Sequence, residues 1–180
     1  MRFRDFKLEG GDHLIQVYTG NGKGKTTAAF GLALRACGAG LNVYIAQFTK
    51  GSCCSEHKIL RKIKKIRLEQ FGRNCFIRNK LQQLDIEMAQ NGLKRVREVI
   101  TSNKYRVIIL DEINVALKLK LVSLKDVLDL IKHTPKNMEL VLTGRDAPCQ
   151  ITQVADLVSH IKEVKHYYTL GVKARQGIEF

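Results

Sequence analysis

Thr19-Gly20-Asn21-Gly22-Lys23-Gly24-Lys25-Thr26 sets three glycines and two lysines directly after an apolar run, Leu14-Ile15-Gln16-Val17-Tyr18. Glycines permit positive φ, so successive backbone N–H groups can converge on phosphate oxygens. A helix opening near Lys25 adds partial positive charge at the same point. Lys25 can reach terminal phosphates, and the Thr26 hydroxyl is placed to ligate Mg²⁺. The usual first glycine of G-x-x-x-x-G-K-[ST] falls on Thr19 here. The stretch reads as a shortened P-loop that holds a nucleoside triphosphate.

Two further strand ends carry chemistry. Val107-Ile108-Ile109-Leu110-Asp111-Glu112 is an apolar strand ending in two carboxylates. Such a Walker B segment aims an acid at the metal beside the P-loop threonine. Val141-Leu142-Thr143-Gly144-Arg145-Asp146 ends another strand with an arginine, which could neutralise phosphate charge or pair with a nearby carboxylate such as Asp146.

The elements that must position these residues follow from periodicity. Strands are expected at 14–18, 43–48, 105–110 and 139–143, several of them apolar at consecutive positions as buried parallel strands are. Helices are expected over 26–37, 84–100 and 123–133, the last opening at Ser123 with Asp126 three residues on. Strands alternating with helices predict a parallel α/β sandwich, whose ligands sit at the carboxyl ends of the strands. Each motif falls at such an end.

At 180 residues the chain has the length of one ordinary domain, and its 44% hydrophobic and 27% charged composition is globular. We expect a single domain over 1–180, with residues 1–13 a loosely ordered extension. No apolar run approaches the ~20 residues of a membrane span, and the first residues hold no secretory signal, so a cytoplasmic protein is expected. Five cysteines with no C-x-x-C pair suggest free thiols rather than a disulfide framework or zinc knuckle. The net charge of +14 attracts polyanions. Much of it lies in Lys58-Ile59-Leu60-Arg61-Lys62-Ile63-Lys64-Lys65-Ile66-Arg67, whose apolar spacing predicts the solvated face of an amphipathic helix rather than a nucleic-acid site.

Taken together the motifs resemble the P-loop type ATP:corrinoid adenosyltransferases. The residues that carry the resemblance run from Tyr18 through the P-loop to Arg35, then Gln47-Phe48-Thr49-Lys50-Gly51, Leu110-Asp111-Glu112-Ile113-Asn114, Leu142-Thr143-Gly144-Arg145-Asp146-Ala147-Pro148 and Val164-Lys165-His166. The ending, Gly171-Val172-Lys173-Ala174-Arg175-Gln176-Gly177-Ile178-Glu179-Phe180, also looks like that of the family.

The resemblance implies a RecA-like three-layer sandwich with a mainly parallel central sheet. It also implies transfer of the 5′-deoxyadenosyl group of ATP to the cobalt of a reduced corrinoid, with inorganic triphosphate leaving. It assigns Gly20, Asn21, Gly22, Lys23, Gly24, Lys25, Thr26 and Thr27 to the phosphates, with Arg145 and Arg35 as further ATP contacts. Mg²⁺ (or Mn²⁺) would lie between Thr26 and Glu112, with Asp111 behind or beside it. Lys25, Thr26, Glu112 and Arg145 are the catalytic candidates. Phe71 and Phe76 are candidates for packing below the corrinoid ring and stripping its axial ligand. The implied partners are an electron-donating flavoprotein such as a flavodoxin, docked on the basic stretch 58–67, and a second copy in a homodimer; no nucleic acid or membrane partner is implied. Two rival readings use the same loop: a P-loop nucleotide kinase or phosphohydrolase, and a basic ATP-dependent nucleic-acid-binding protein.

Overall fold

The computed structural model describes residues 14–51, 54–73 and 81–180; the extension over 1–13 and the aromatic Phe76 lie outside the described residues. Six strands form one sheet: β1 (Leu14–Thr19), β2 (Val43–Phe48), β3 (Ile66–Phe71), β4 (Val107–Asp111), β5 (Glu139–Thr143) and β6 (Leu157–His160). Their spatial order is β3-β2-β4-β5-β1-β6, and every pairing is parallel. The helices are α1 (Lys25–Gly38), α2 (Ser55–Leu60), α3 (Gln83–Ser102), α4 (Ile113–Lys118), α5 (Leu124–Lys132) and α6 (Cys149–Val154). A short 3-10 turn, Tyr167–Leu170, follows β6.

Burial explains why the central strands are apolar without alternation. In β2, Val43 and Ile45 join the core under α1, while Tyr44, Ala46 and Phe48 join the core under α3. In β4, Val107 and Ile109 take the first side, and Ile108 and Leu110 the second. Both faces of the sheet are covered, as side chains alternate across the pleat. The α1 side is filled by Phe30 and by Ala29, Ala33 and Ala36, small residues that let the helix approach closely. None of the described helices is long and apolar enough to cross a membrane.

Local signals place several ends. Ser123 caps α5, its hydroxyl oxygen accepting from the Asp126 N–H at 3.0 Å. Helix α3 stops at Asn103, which takes the left-handed conformation at φ 50°. The basic stretch is the main departure from expectation. Helix α2 ends at Leu60, residues 61–65 turn, and Ile66 begins β3. The alternation Ile66, Leu68 inward and Arg67 outward satisfies the strand period, and pairing with β2 wins over the helical spacing of 59, 60, 63 and 66.

Phe71 ends β3 and packs on the core rather than standing free. Its ring lies 6.0 Å from that of Phe48, and it fills the space above Gly92 in the middle of α3. A Cβ at Gly92 would meet Phe71 Cγ at 2.6 Å and Cβ at 2.9 Å, atoms too near the backbone to swing away. Gly92→Ala is therefore expected to destabilise the fold by about 1–3 kcal/mol, despite alanine's better helix propensity, and a thermal melt will read the lowered Tm.

Candidate functional site

Strand β1 delivers the chain into the glycine loop, and Gly24, at φ 118°, turns it into α1. This conformation is open to glycine and strained for other residues. Gly22 is a glycine for a different reason. Its N–H donates to the Ile161 carbonyl at 2.8 Å, and a Cβ there would strike that oxygen and the Ile161 Cγ2 at 2.9 Å. The segment after β6 thus crosses directly over the loop. Lys25 is buried, and its ammonium donates back to the Gly22 carbonyl at 2.7 Å. Burial pushes its pKa down, and the carboxylate of Glu112 opposes that shift. Thr19, in place of the usual first glycine, accepts from the Ala147 N–H through its hydroxyl at 3.2 Å, tying the loop to the end of β5.

Behind the loop, Asp111 is fully buried at the end of β4. One carboxylate oxygen accepts from the Thr26 hydroxyl at 2.9 Å and the Thr143 hydroxyl at 2.7 Å; the other accepts from Gln47 Nε2 at 2.9 Å. Three strand ends and the start of α1 are thereby joined through one side chain. Glu112, the next residue, takes the left-handed conformation at φ 62° and projects into the cavity. Its nearest cation is Lys50 Nζ at 3.9 Å. Burial, reinforced by Asp111, raises its pKa.

The cavity in front has a volume of about 860 Å³. Its polar side holds Asn21 to Thr27, Lys50, Glu112 and Arg145; its apolar side is made by Phe30, Leu34, Ile59 and, from the C-terminal segment, Ile178 and Phe180. Arg145 reaches it from the β5 end, where Gly144 at φ 131° passes close to Asn114. Asp146 is bonded to Lys118 at 2.6 Å, and among the described residues Arg145 makes no ion pair.

Of the residues singled out in the sequence, Asn21 to Thr27, Glu112 and Arg145 line one cavity, whereas Gly20 and Asp111 do not line it. Arg35 is not among the residues that line the cavity: it lies exposed in the last turn of α1, beside Tyr18. Phe71 is on the core side as described above. Sequence reading gave no role to Lys50, Gln47 or Thr143, although each lies in a stretch that carries the family resemblance. It also missed Tyr167 and Glu179, which meet Lys23 from over 140 residues away in the chain. Cys54, Glu56 and His57 cluster within 4.8 Å at the cavity edge. They act as a helix cap: the Cys54 N–H donates to His57 Nδ1 at 3.1 Å, and the His57 N–H returns to the Cys54 side chain.

A parallel sheet with this loop after β1 and an acidic pair ending β4 defines a P-loop nucleotide-binding protein of the RecA-like kind. The fold is also that of a KaiC-like protein from the hyperthermophilic archaeon Pyrococcus horikoshii OT3, with a TM-score of 0.58 and 16% identity, covering 87% of this chain and 75% of that one. Residues 11–180 match the family model described as ATP:corrinoid adenosyltransferase BtuR/CobO/CobP, and the chain belongs to this family. It is 33% identical to the corrinoid adenosyltransferase of Sinorhizobium sp over 178 residues, which cover 93% of this chain and 80% of the relative. It is likewise 33% identical to that of Pseudomonas aeruginosa over 169 residues, covering 93% and 83%.

The two adjacent carboxylates differ in what they do, and stability separates them. Asp111→Asn sets an amide against the Gln47 donor and is expected to cost about 1–3 kcal/mol. Glu112→Gln removes an ionised group that burial disfavours. Because the folded pKa lies above the unfolded one, this gain, up to about 1 kcal/mol, is present at neutral pH and vanishes below the unfolded titration. Denaturant melts of both variants at neutral and acid pH will check the opposite signs.

Proposed function

We propose that this protein transfers the 5′-deoxyadenosyl group of ATP to the cobalt of a reduced corrinoid and releases inorganic triphosphate. The observation that carries the reading is family membership across residues 11–180 together with one cavity that joins the glycine loop, Glu112 and Arg145.

The chemistry is a displacement at the ribose C5′. The Co–C bond forms as the C5′–O bond breaks, and the electron pair of that bond leaves with triphosphate. Reduced cobalt has no proton to lose, so the site needs no general base; it must position two reactants and stabilise charge on the leaving group. Lys25, now turned onto a loop carbonyl, swings onto the phosphates, where Lys50 and Arg145 join it. The donors at the loop fit Mg²⁺: the Thr26 hydroxyl and the Glu112 carboxylate are hard oxygen ligands. Asp111 has both oxygens occupied by hydrogen bonds and keeps the Thr26 hydroxyl oriented. Mg²⁺ bound there would neutralise phosphate oxygens. The apolar wall beside the cradle suits the adenosine portion, in a cavity of the size that small ligands occupy.

Reduction of the corrinoid needs an electron donor, and an acidic flavoprotein such as a flavodoxin suits the exposed cations Lys58, Arg61, Lys62, Lys64 and Lys65, which run from α2 to the amino end of β3. A homodimer is part of the same reading; the sheet edge at β6, with Leu157 and Val158 each 44% exposed, is one surface a second copy could cover.

Incubation with ATP, Mg²⁺ and reduced cobalamin should give the alkylcobalamin spectrum and triphosphate; phosphate or diphosphate as product would favour a kinase or hydrolase instead. Lys25→Ala should lower the rate at least about a hundredfold while the circular dichroism spectrum is unchanged. Charge reversal at Lys58, Arg61 and Lys62 should slow flavoprotein-driven turnover about tenfold at low salt and leave turnover with chemically reduced cobalamin as it was. Equal rates for the charge-reversed variant and wild type with the flavoprotein would remove the docking surface.

A further inference from the structure

Lys23 stands between two glycines of the phosphate loop, yet its ammonium is held by side chains from elsewhere in the chain. Both of its partners come from the segment after β6: Tyr167 Oη at 2.8 Å and Glu179 Oε1 at 2.8 Å. The carboxylate of Glu179 is itself held in place. It accepts from the Arg175 N–H at 2.7 Å, from the Arg175 guanidinium at 3.3 Å, and from the Tyr167 hydroxyl. The turn that carries it is closed by Glu179 N–H to the Arg175 carbonyl at 2.9 Å and Gly177 N–H to the Phe180 carbonyl at 2.7 Å. Its far end is pinned across the cavity, where the Ser55 hydroxyl donates to the Phe180 carbonyl at 3.0 Å. Lys23, Glu179 and Phe180 line the same cavity as Lys25, Thr26 and Glu112.

A triphosphate in this cradle brings several negative charges into a cavity that already holds a fixed carboxylate. An ammonium donating to Glu179 cannot give the same protons to phosphate oxygens. From this we infer that Glu179 is a positioning residue that competes with bound triphosphate for Lys23, so that the C-terminal segment weakens the protein's hold on the leaving group. In this structure Lys23 is paired with Glu179. Triphosphate must break that pair to recruit Lys23, and re-forming the pair favours its departure. The inference rests on the phosphate loop holding triphosphate, and it holds for any reaction in which triphosphate is bound there.

Calorimetric titration with inorganic triphosphate and Mg²⁺, in the absence of corrinoid, tests it on the full chain. Glu179→Gln should bind triphosphate roughly two- to fivefold tighter than wild type, the scale of one exposed ion pair. Lys23→Gln should bind more weakly, and adding Glu179→Gln to Lys23→Gln should bring no gain, since the carboxylate then has nothing to withhold. In turnover, Glu179→Gln should lower the KM for ATP by a similar factor without raising kcat, which a purely structural role would not do. Unchanged or weaker triphosphate binding by Glu179→Gln, or a gain that persists beside Lys23→Gln, overturns the competition. Lys25→Ala distinguishes the levels: wild-type affinity in that variant overturns the phosphate-loop reading and the competition with it. Lost affinity in Lys25→Ala with no gain in Glu179→Gln overturns the competition alone.

Discussion

One buried carboxylate holds the working end of this sheet together. Asp111 takes hydrogen bonds from Thr26 at the start of α1, Gln47 in β2 and Thr143 in β5, while itself ending β4. A buried charge is costly unless its oxygens are satisfied, and here three donors satisfy them. The arrangement fixes Thr26 at the cavity wall and leaves the neighbouring Glu112 to face the cavity. Because side chains alternate across a strand, the next residue would point to the opposite face of the sheet. The left-handed turn at Glu112 breaks that alternation and directs both acids toward the same end. Fold and site therefore meet at a single side chain.

The sequence was most legible where chemistry is local. The glycine loop, the acidic pair and the Thr143-Gly144-Arg145 segment are each contiguous, and each sits at a strand end where the α/β pattern places ligands. Strands β2, β4 and β5 are buried along most of their length and β1 at alternate residues, and their apolar runs showed it. Strand β6 was not read because none of its residues is buried, and Leu-Val-Ser-His carries no alternation for a core to impose. Strand β3 was hidden by the basic residues around it: the spacing of Ile59, Leu60, Ile63 and Ile66 mimics a helix that the turn at 61–65 interrupts. The short helices α4 and α6 are six residues each, too few for periodicity to declare itself.

Glycine in the loop carries two meanings that only the structure separates. At Gly24 the backbone angle demands it, as loop chemistry suggests. At Gly22 the demand comes from Ile161, far along the chain, whose carbonyl takes the very N–H that sequence reading gave to a phosphate. Thr19 is the converse case. Its side chain replaces the missing first glycine with a hydrogen bond to Ala147, so the loop is shortened without being left untied. Both contacts are long-range, and no local spacing could have revealed them.

The cations around the cavity mostly find partners within the protein itself. Lys23 is paired with Glu179, Lys25 donates to a loop carbonyl, and Lys50 lies near Glu112. Three of the four positive groups at the cradle thus have partners within the protein before any phosphate arrives, and Arg145 is left facing the cavity. Such internal partners prevent mutual repulsion of cations packed around one loop, and each must be exchanged for phosphate oxygens on binding. In the transfer proposed above, release of a highly charged triphosphate benefits from this exchange, since Lys23, Lys25 and Lys50 each have a partner to return to. On that reading affinity is held down where the leaving group would sit, while Asp111, whose oxygens are taken by Thr26, Thr143 and Gln47, would keep the geometry constant.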